Sequence, residues 1–194
     1  MDSNLNKLLD ELEAFGQSND SAVKERPGRM LNITRDTGEF LSVLVRIMGA
    51  RRILEIGTSN GYSTLWLAEA ARKVGGTVAT VEMSRSKIEM AQANFARSGL
   101  AGSIQQLEGD AGDILRAAGE GAYDLVFLDS ERSEYVGWWP DLRRVLRPGG
   151  LLVVDNATSH KEEMAAFIQT VRADTNFSTS LVPVGNGEFL ATKA

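Results

Sequence analysis

Ile53-Leu-Glu-Ile-Gly-Thr-Ser-Asn-Gly-Tyr-Ser63 is a short apolar run with one acid in it, followed by two glycines four apart. Apolar residues at helical spacing come next, at Leu65, Leu67, Ala68 and Ala71. The order reads as strand, tight turn and helix. In wound α/β sheets that turn cradles a nucleotide.

Charge narrows the choice of nucleotide. A dinucleotide site uses three closely spaced glycines to seat a pyrophosphate on the helix N-terminus, and Gly57-x-x-x-Gly61 lacks the third. A P-loop needs Gly-Lys-Ser/Thr, yet no Lys or Arg lies between Ile53 and Ala71. An acid, Glu55, closes the strand instead. The loop suits a cofactor with a positive end and no phosphate, such as S-adenosylmethionine (SAM), whose methionyl part could approach the backbone at Gly57 and Gly61. The competing reading is an ordinary strand-to-helix turn with a half-buried Glu55. A second acid, Glu82, ends the β-branched run Thr77-Val-Ala-Thr-Val-Glu82, where a carboxylate can accept both protons of a ribose diol; a solvated strand end is the alternative.

The remaining chain follows one alternation. Leu5, Leu8, Leu9, Leu12 and Phe15 form an apolar helical stripe, able to cover a site or make a dimer face, and Gly16 to Gly28 reads as a polar loop. A helix is expected around Asp36 to Met48. Another runs from Ser84, as N-cap, to Ser98, and Gly99 stops it. Ile104 to Leu107 is a strand with Gly109-Asp110 at its end, Asp110 being able either to accept adenine amino protons or to cap the helix Ala111 to Ala118. Tyr123 to Leu128 is a buried strand tipped by Asp129. A helix from Ser133 to Leu146 carries Trp138 and Trp139, and Arg147-Pro-Gly-Gly150 breaks it. Leu151 to Val154 is a strand tipped by Asp155-Asn156, His160 starts the last helix, and Ser178 to Val184 with Gly187 to Thr192 read as a hairpin. This predicts a Rossmann-like α/β fold with a mostly parallel sheet and a C-terminal antiparallel hairpin. Ligands bind such sheets at the C-terminal strand tips, where Glu55, Glu82, Asp110, Asp129, Asp155 and Asn156 all fall.

Composition sets bounds. A chain of 194 residues, 43% hydrophobic and 24% charged, is expected to be one soluble domain, with residues 1–50 covering a core of residues 51–194. It has no cysteine, and so no disulfide, thiolate metal site or thiol nucleophile; a cytoplasmic location is expected. No secretory signal and no apolar run of the ~18 residues that would span a bilayer is found. A net charge of −5 argues against long nucleic acid as a partner.

Leu54-Glu-Ile-Gly-Thr58, Gly61-Tyr-Ser63, Val81-Glu82, Glu108-Gly-Asp110, Phe127-Leu-Asp129, Leu146-Arg-Pro-Gly-Gly150 and Val153-Val-Asp-Asn156 together resemble the SAM-dependent O-methyltransferases of the catechol and caffeoyl-CoA type, from about Met30 to Lys193. The resemblance implies a class I methyltransferase fold with a seven-stranded sheet, extra N-terminal helices, a homodimer and a small, phenolic acceptor. Carried onto this chain, it points to Met30, Glu55, Gly57, Ser59, Gly61, Tyr62, Ser63, Glu82, Met83, Gly109, Asp110, Ala111 and Asp129 at the cofactor; Met30 and Thr37 are weaker contacts, packing being the competing reading for Met30. It also implies Asp129, Asp155 and Asn156 as oxygen ligands of a divalent metal, Mg²⁺ by preference with Ca²⁺ or Mn²⁺ possible.

Two departures bear on the acceptor. Catechol-type members have a lysine three positions after the first metal Asp, where this chain has Arg132, which stays protonated and is a poor general base. Arg132 can orient an anionic acceptor or stabilise a phenolate, and Glu131 and His160 are substitute bases. The segment after Asn156 is short, implying a more open pocket. The alternatives are a SAM-dependent enzyme of another acceptor class, without an Asn-Pro-Pro-Tyr-like motif to support it, or a catalytically silent SAM-binding domain.

Overall fold

A computed structural model describes residues 2–194. The apolar runs become the strands β1 (Arg52–Ile56), β2 (Thr77–Glu82), β3 (Ile104–Glu108), β4 (Tyr123–Leu128) and β5 (Leu146–Val154), all parallel. The hairpin strands β6 (Phe177–Val182) and β7 (Glu188–Lys193) complete a seven-stranded sheet of order β3-β2-β1-β4-β5-β7-β6, with β7 antiparallel to both neighbours. Strand order reverses between β1 and β4, so the turns after these two strands diverge and leave a crevice at their carboxyl ends.

Helices cover both faces. On one side α1 (Ser3–Ala22), α2 (Arg35–Met48), α3 (Tyr62–Lys73) and α4 (Arg85–Ser98) share a core with Ile53, Val78, Leu125 and Val153. On the other, α5 (Ala111–Ala117), α6 (Tyr135–Val145) and α7 (Lys161–Ala173) pack on Leu54, Val81, Val126 and Val154. Alternate residues of each strand therefore feed opposite cores. No helix among the described residues is long and apolar enough to cross a membrane.

Some expectations change. The stripe Leu5, Leu8, Leu9 and Leu12 lies in the first core against α3 and α4, so it is not a dimer face, and Phe15 is exposed. Gly16 to Ala22 is helical and not loop: α1 continues because Asn19 and Asp20 bond the following segment, and because Gly16 gives room to the Asn32 side chain. Leu146 to Gly150 belongs to β5, joined to β4 through an irregular register. Ser84 occupies the N-cap position of α4, but its hydroxyl turns to Ser86.

The first turn is fixed from beneath. Glu55, inside β1 and fully buried, accepts from Ser63 Oγ at 2.6 Å, from Thr80 Oγ1 at 2.5 Å and from Thr64 Oγ1. Those hydroxyls tie β1, β2 and the first turn of α3 to one carboxyl group. Burial raises its pKa to about 7, against the lowering effect of the three hydroxyls, and the nearby Glu82 adds to the rise. The folded chain thus holds this proton more tightly than the unfolded chain, in which the group titrates near 4.5. Its stabilisation is complete below that value and is lost as pH rises through about 7, about 3 kcal/mol at 1.36 kcal/mol per unit. Glu55→Gln should remove that part of the slope of unfolding free energy between about pH 5 and 8 in denaturant titrations. An unaltered slope would contradict the buried, proton-holding role.

Candidate active site

At the carboxyl ends of β1, β2 and β4 opens a cavity of about 810 Å³, within the size range of small-molecule and cofactor sites. One half is built by backbone. Gly57 has φ +108°, and a Cβ there would collide with the Asp129 main-chain carbonyl, so the β1 and β4 turns meet closely at this point. Gly61, also left-handed at φ +87°, has Phe95 of α4 where its Cβ would stand, which makes it a packing glycine and not part of the cavity wall. Between them Ser59 takes φ +48°, and its N–H donates to Glu82 Oε2 at 2.9 Å. Glu82 Oε1 accepts from the N–H groups of Met83 at 3.0 Å and Ser84 at 2.9 Å. The carboxylate is thereby oriented at the cavity wall with acceptor capacity left over.

A roof crosses this half. Asp20 on α1 accepts from the N–H groups of Met30 at 2.6 Å and Leu31 at 2.8 Å, and Ser59 Oγ donates to the Met30 carbonyl at 2.7 Å. Leu31, held at φ +53°, sits at the bend. The α1 helix therefore secures the segment that encloses the loop. Asp110 caps α5 through the Asp113 N–H at 2.9 Å and also lines the cavity with Gly109 and Ala111.

The other half is acidic. Asn156, in the left-handed region at φ +67°, points its Nδ2 to Asp129 Oδ1 at 3.2 Å and to Asp155 Oδ2 at 3.0 Å. Burial pushes the Asp129 carboxyl well above the usual range, and the Asp155 and Glu55 carboxylates push it further. Burial likewise raises Asp155. Behind it stands Glu188 of β7, fully buried, accepting from Thr37 Oγ1 at 3.1 Å on one oxygen while the other has no partner among the described residues, with its charge interacting with that of Asp155. Burial first and the Asp155 charge second raise Glu188 to about 10. The Tyr135 hydroxyl accepts from the Ser130 N–H at 2.7 Å and steadies the turn after Asp129. No group of three or more His, Cys, Asp or Glu among the described residues is placed to hold a metal; the set here is two carboxylates and one amide.

Arg132 follows on a short 3-10 turn, buried, with its Nε donating to Glu163 Oε2 at 2.8 Å. Arg26 of the roof pairs with Glu131 at 3.5 Å. His160 lines the cavity, and its Nδ1 lies 3.0 Å from Ser159 Oγ.

Of the residues singled out in the sequence, Met30, Gly57, Ser59, Tyr62, Ser63, Glu82, Met83, Gly109, Asp110, Ala111, Asp129, Arg132, Asn156 and His160 line this one cavity. Glu55 and Asp155 stand behind the wall, acting on Ser63 and Asn156. Thr37 reaches Glu188 and not the cavity. Asn60 lines the cavity fully buried with its Nδ2 unpartnered, and sequence reasoning missed it although it sits inside the glycine loop. Trp138 lines the cavity while Trp139 is core, a distinction set by the one-residue rotation along α6. Glu188 was also missed, because an acid at a hairpin strand start ordinarily faces water.

The chain is 38% identical over 124 residues to a catechol O-methyltransferase of Mycobacterium tuberculosis, covering 64% of this chain and 56% of that protein. It is 36% identical over 129 residues to one from Niastella koreensis, covering 65% and 58%, so the chain matches little more than half the length of each. Among solved structures it is similar to the O-methyltransferase TomG of Streptomyces achromogenes in complex with SAM (27% identity, TM-score 0.78, 100% of this chain and 91% of that one). It is similar also to the Bacillus cereus O-methyltransferase in complex with SAH (26% identity, TM-score 0.78, 100% and 92%). A profile of the O-methyltransferase family matches residues 3–194, nearly the whole length, and the chain belongs to that family.

Proposed function

We propose that this chain transfers the methyl group of SAM to a hydroxyl of a small phenolic acceptor, assisted by a divalent cation. The observation that carries the reading is the single cavity, with a backbone-oriented Glu82 at one end and the Asp129–Asn156 pair at the other. Methyl transfer from a sulfonium is an in-line displacement in which the cofactor brings its own leaving group, so the protein's task is alignment. In this reading Glu82 accepts the ribose hydroxyls, the Gly57 to Ser63 turn receives the methionyl end, and Asp110 and Trp138 border the base. Glu55 positions Ser63 from below. Glu82 at one end and Asp129 at the other suit a cationic donor, and relatives named for catechol and caffeoyl-CoA support a phenolic acceptor.

The donor set fits a hard cation. Two buried carboxylates that repel one another are relieved by a positive charge between them, and rotating the Asn156 amide exchanges its nitrogen for an oxygen at the same point. Asp129, Asp155 and Asn156 would hold the ion, with the buried Glu188 behind Asp155. A cation there lowers the proton affinity of an acceptor hydroxyl. His160 and Glu131 are bases that line the same cavity, Glu131 being paired with Arg26. The homodimer is an expectation that rests on the family, and the cytoplasmic location one that rests on the lack of cysteine.

Two outcomes follow. In calorimetric titration, Glu82→Gln should bind SAM about tenfold more weakly, the loss of one charge-assisted hydrogen bond; equal affinity would remove Glu82 from the cofactor site. Chelation should abolish methylation of catechol, and Mg²⁺ should restore it and raise the melting temperature of the unaltered chain but not of Asp129→Asn. Full turnover after exhaustive chelation would reject the cation.

A further inference from the structure

Arg132 is 9% exposed, yet its guanidinium has only one partner. The side chain carries five N–H donors; Nε goes to Glu163, and the two terminal nitrogens make no hydrogen bond among the described residues. Those nitrogens are absent from the sealed, unpartnered atoms, and Arg132 lines the cavity, so they open onto it and not into the core. A buried permanent charge with idle donors is costly unless something completes it.

The neighbouring acids do not complete it: the buried Asp129 and Asp155 feel its charge but accept no hydrogen bond from it. Glu163 and Glu131 have side chains 53% and 56% exposed, and their charges are screened by water. Arg26, paired with the exposed Glu131 at 3.5 Å, adds a second guanidinium to the same cavity lining. A neutral phenol offers too few acceptor atoms for a planar fork. A carboxylate offers two oxygens at the matching spacing and is bound by guanidinium in bidentate fashion, which an ammonium cannot reproduce. Arg132 follows Asp129 by three residues and lines the same cavity as Asp129 and Asn156.

We propose, granting the methyl transfer argued above, that the acceptor is an aromatic hydroxy acid whose carboxylate docks on the terminal nitrogens of Arg132, with Arg26 beside it. Its hydroxyl then lies toward Asp129 and Asn156. Arg132 acts as the specificity-determining residue and not as a base.

The test uses the full chain with S-adenosylhomocysteine and Mg²⁺, and titrates 3,4-dihydroxybenzoate against 3,4-dihydroxybenzamide by calorimetry. The acid should bind at least about tenfold more tightly than the amide. Arg132→Gln should bring the two within about twofold, while Arg132→Lys keeps part of the preference through its point charge. Turnover should follow the same order, mainly in KM. Equal affinity for acid and amide, including no binding of either, or a preference that survives Arg132→Gln, would overturn the carboxylate assignment and leave the methyl-transfer reading standing. Failure of S-adenosylhomocysteine to bind the unaltered chain would overturn both.

Discussion

One carboxyl group under the first turn governs the shape of the site. Glu55 gathers the hydroxyls of Ser63, Thr64 and Thr80, and so ties the end of β1, the middle of β2 and the start of α3 together. With that turn fixed, Gly57 can lie against the Asp129 carbonyl and Ser59 can offer its N–H to Glu82. Three strand tips are brought to one crevice by contacts of backbone and short side chains, with few rotatable bonds to order. A site built in this way is largely formed before any ligand arrives, which favours binding by lowering the ordering cost.

The opposite half works by tension between like charges. Asp129 and Asp155 approach one another through the Asn156 amide, in surroundings that disfavour ionisation of either. Glu188 adds a third acid, held by Thr37 at the start of α2. The start of α2, the hairpin and the tip of β5 are therefore drawn into one polar cluster. Such a cluster is poor as a source of stability and well suited to accepting positive charge.

The sheet was legible in the sequence because parallel strands buried on both faces leave unmistakable apolar runs, as in Tyr123 to Leu128, and because glycine and acid repeat at their ends. The cavity was legible for the same reason: strand tips share an edge by topology alone. What escaped was set by tertiary contact. Nothing local marks Gln17 to Ala22 as helix, since Asp20 and Asn19 find their partners some ten residues away. Gly61 looks like a ligand-facing glycine and answers instead to Phe95. Glu55 and Asp155 sit one layer deeper than their positions at strand ends suggested, because alternation along the strand, and not distance from the tip, decides which way a side chain points.

The central claim is that one crevice holds the methyl donor between Glu82 and the Asp129–Asn156 pair. A crystal structure of the chain soaked with S-adenosylhomocysteine tests it most directly. The account predicts the ribose hydroxyls on Glu82, the homocysteine end over Gly57 to Ser63, and the sulfur facing Asp129. Density for the ligand outside this crevice, or with its two ends exchanged, would contradict it.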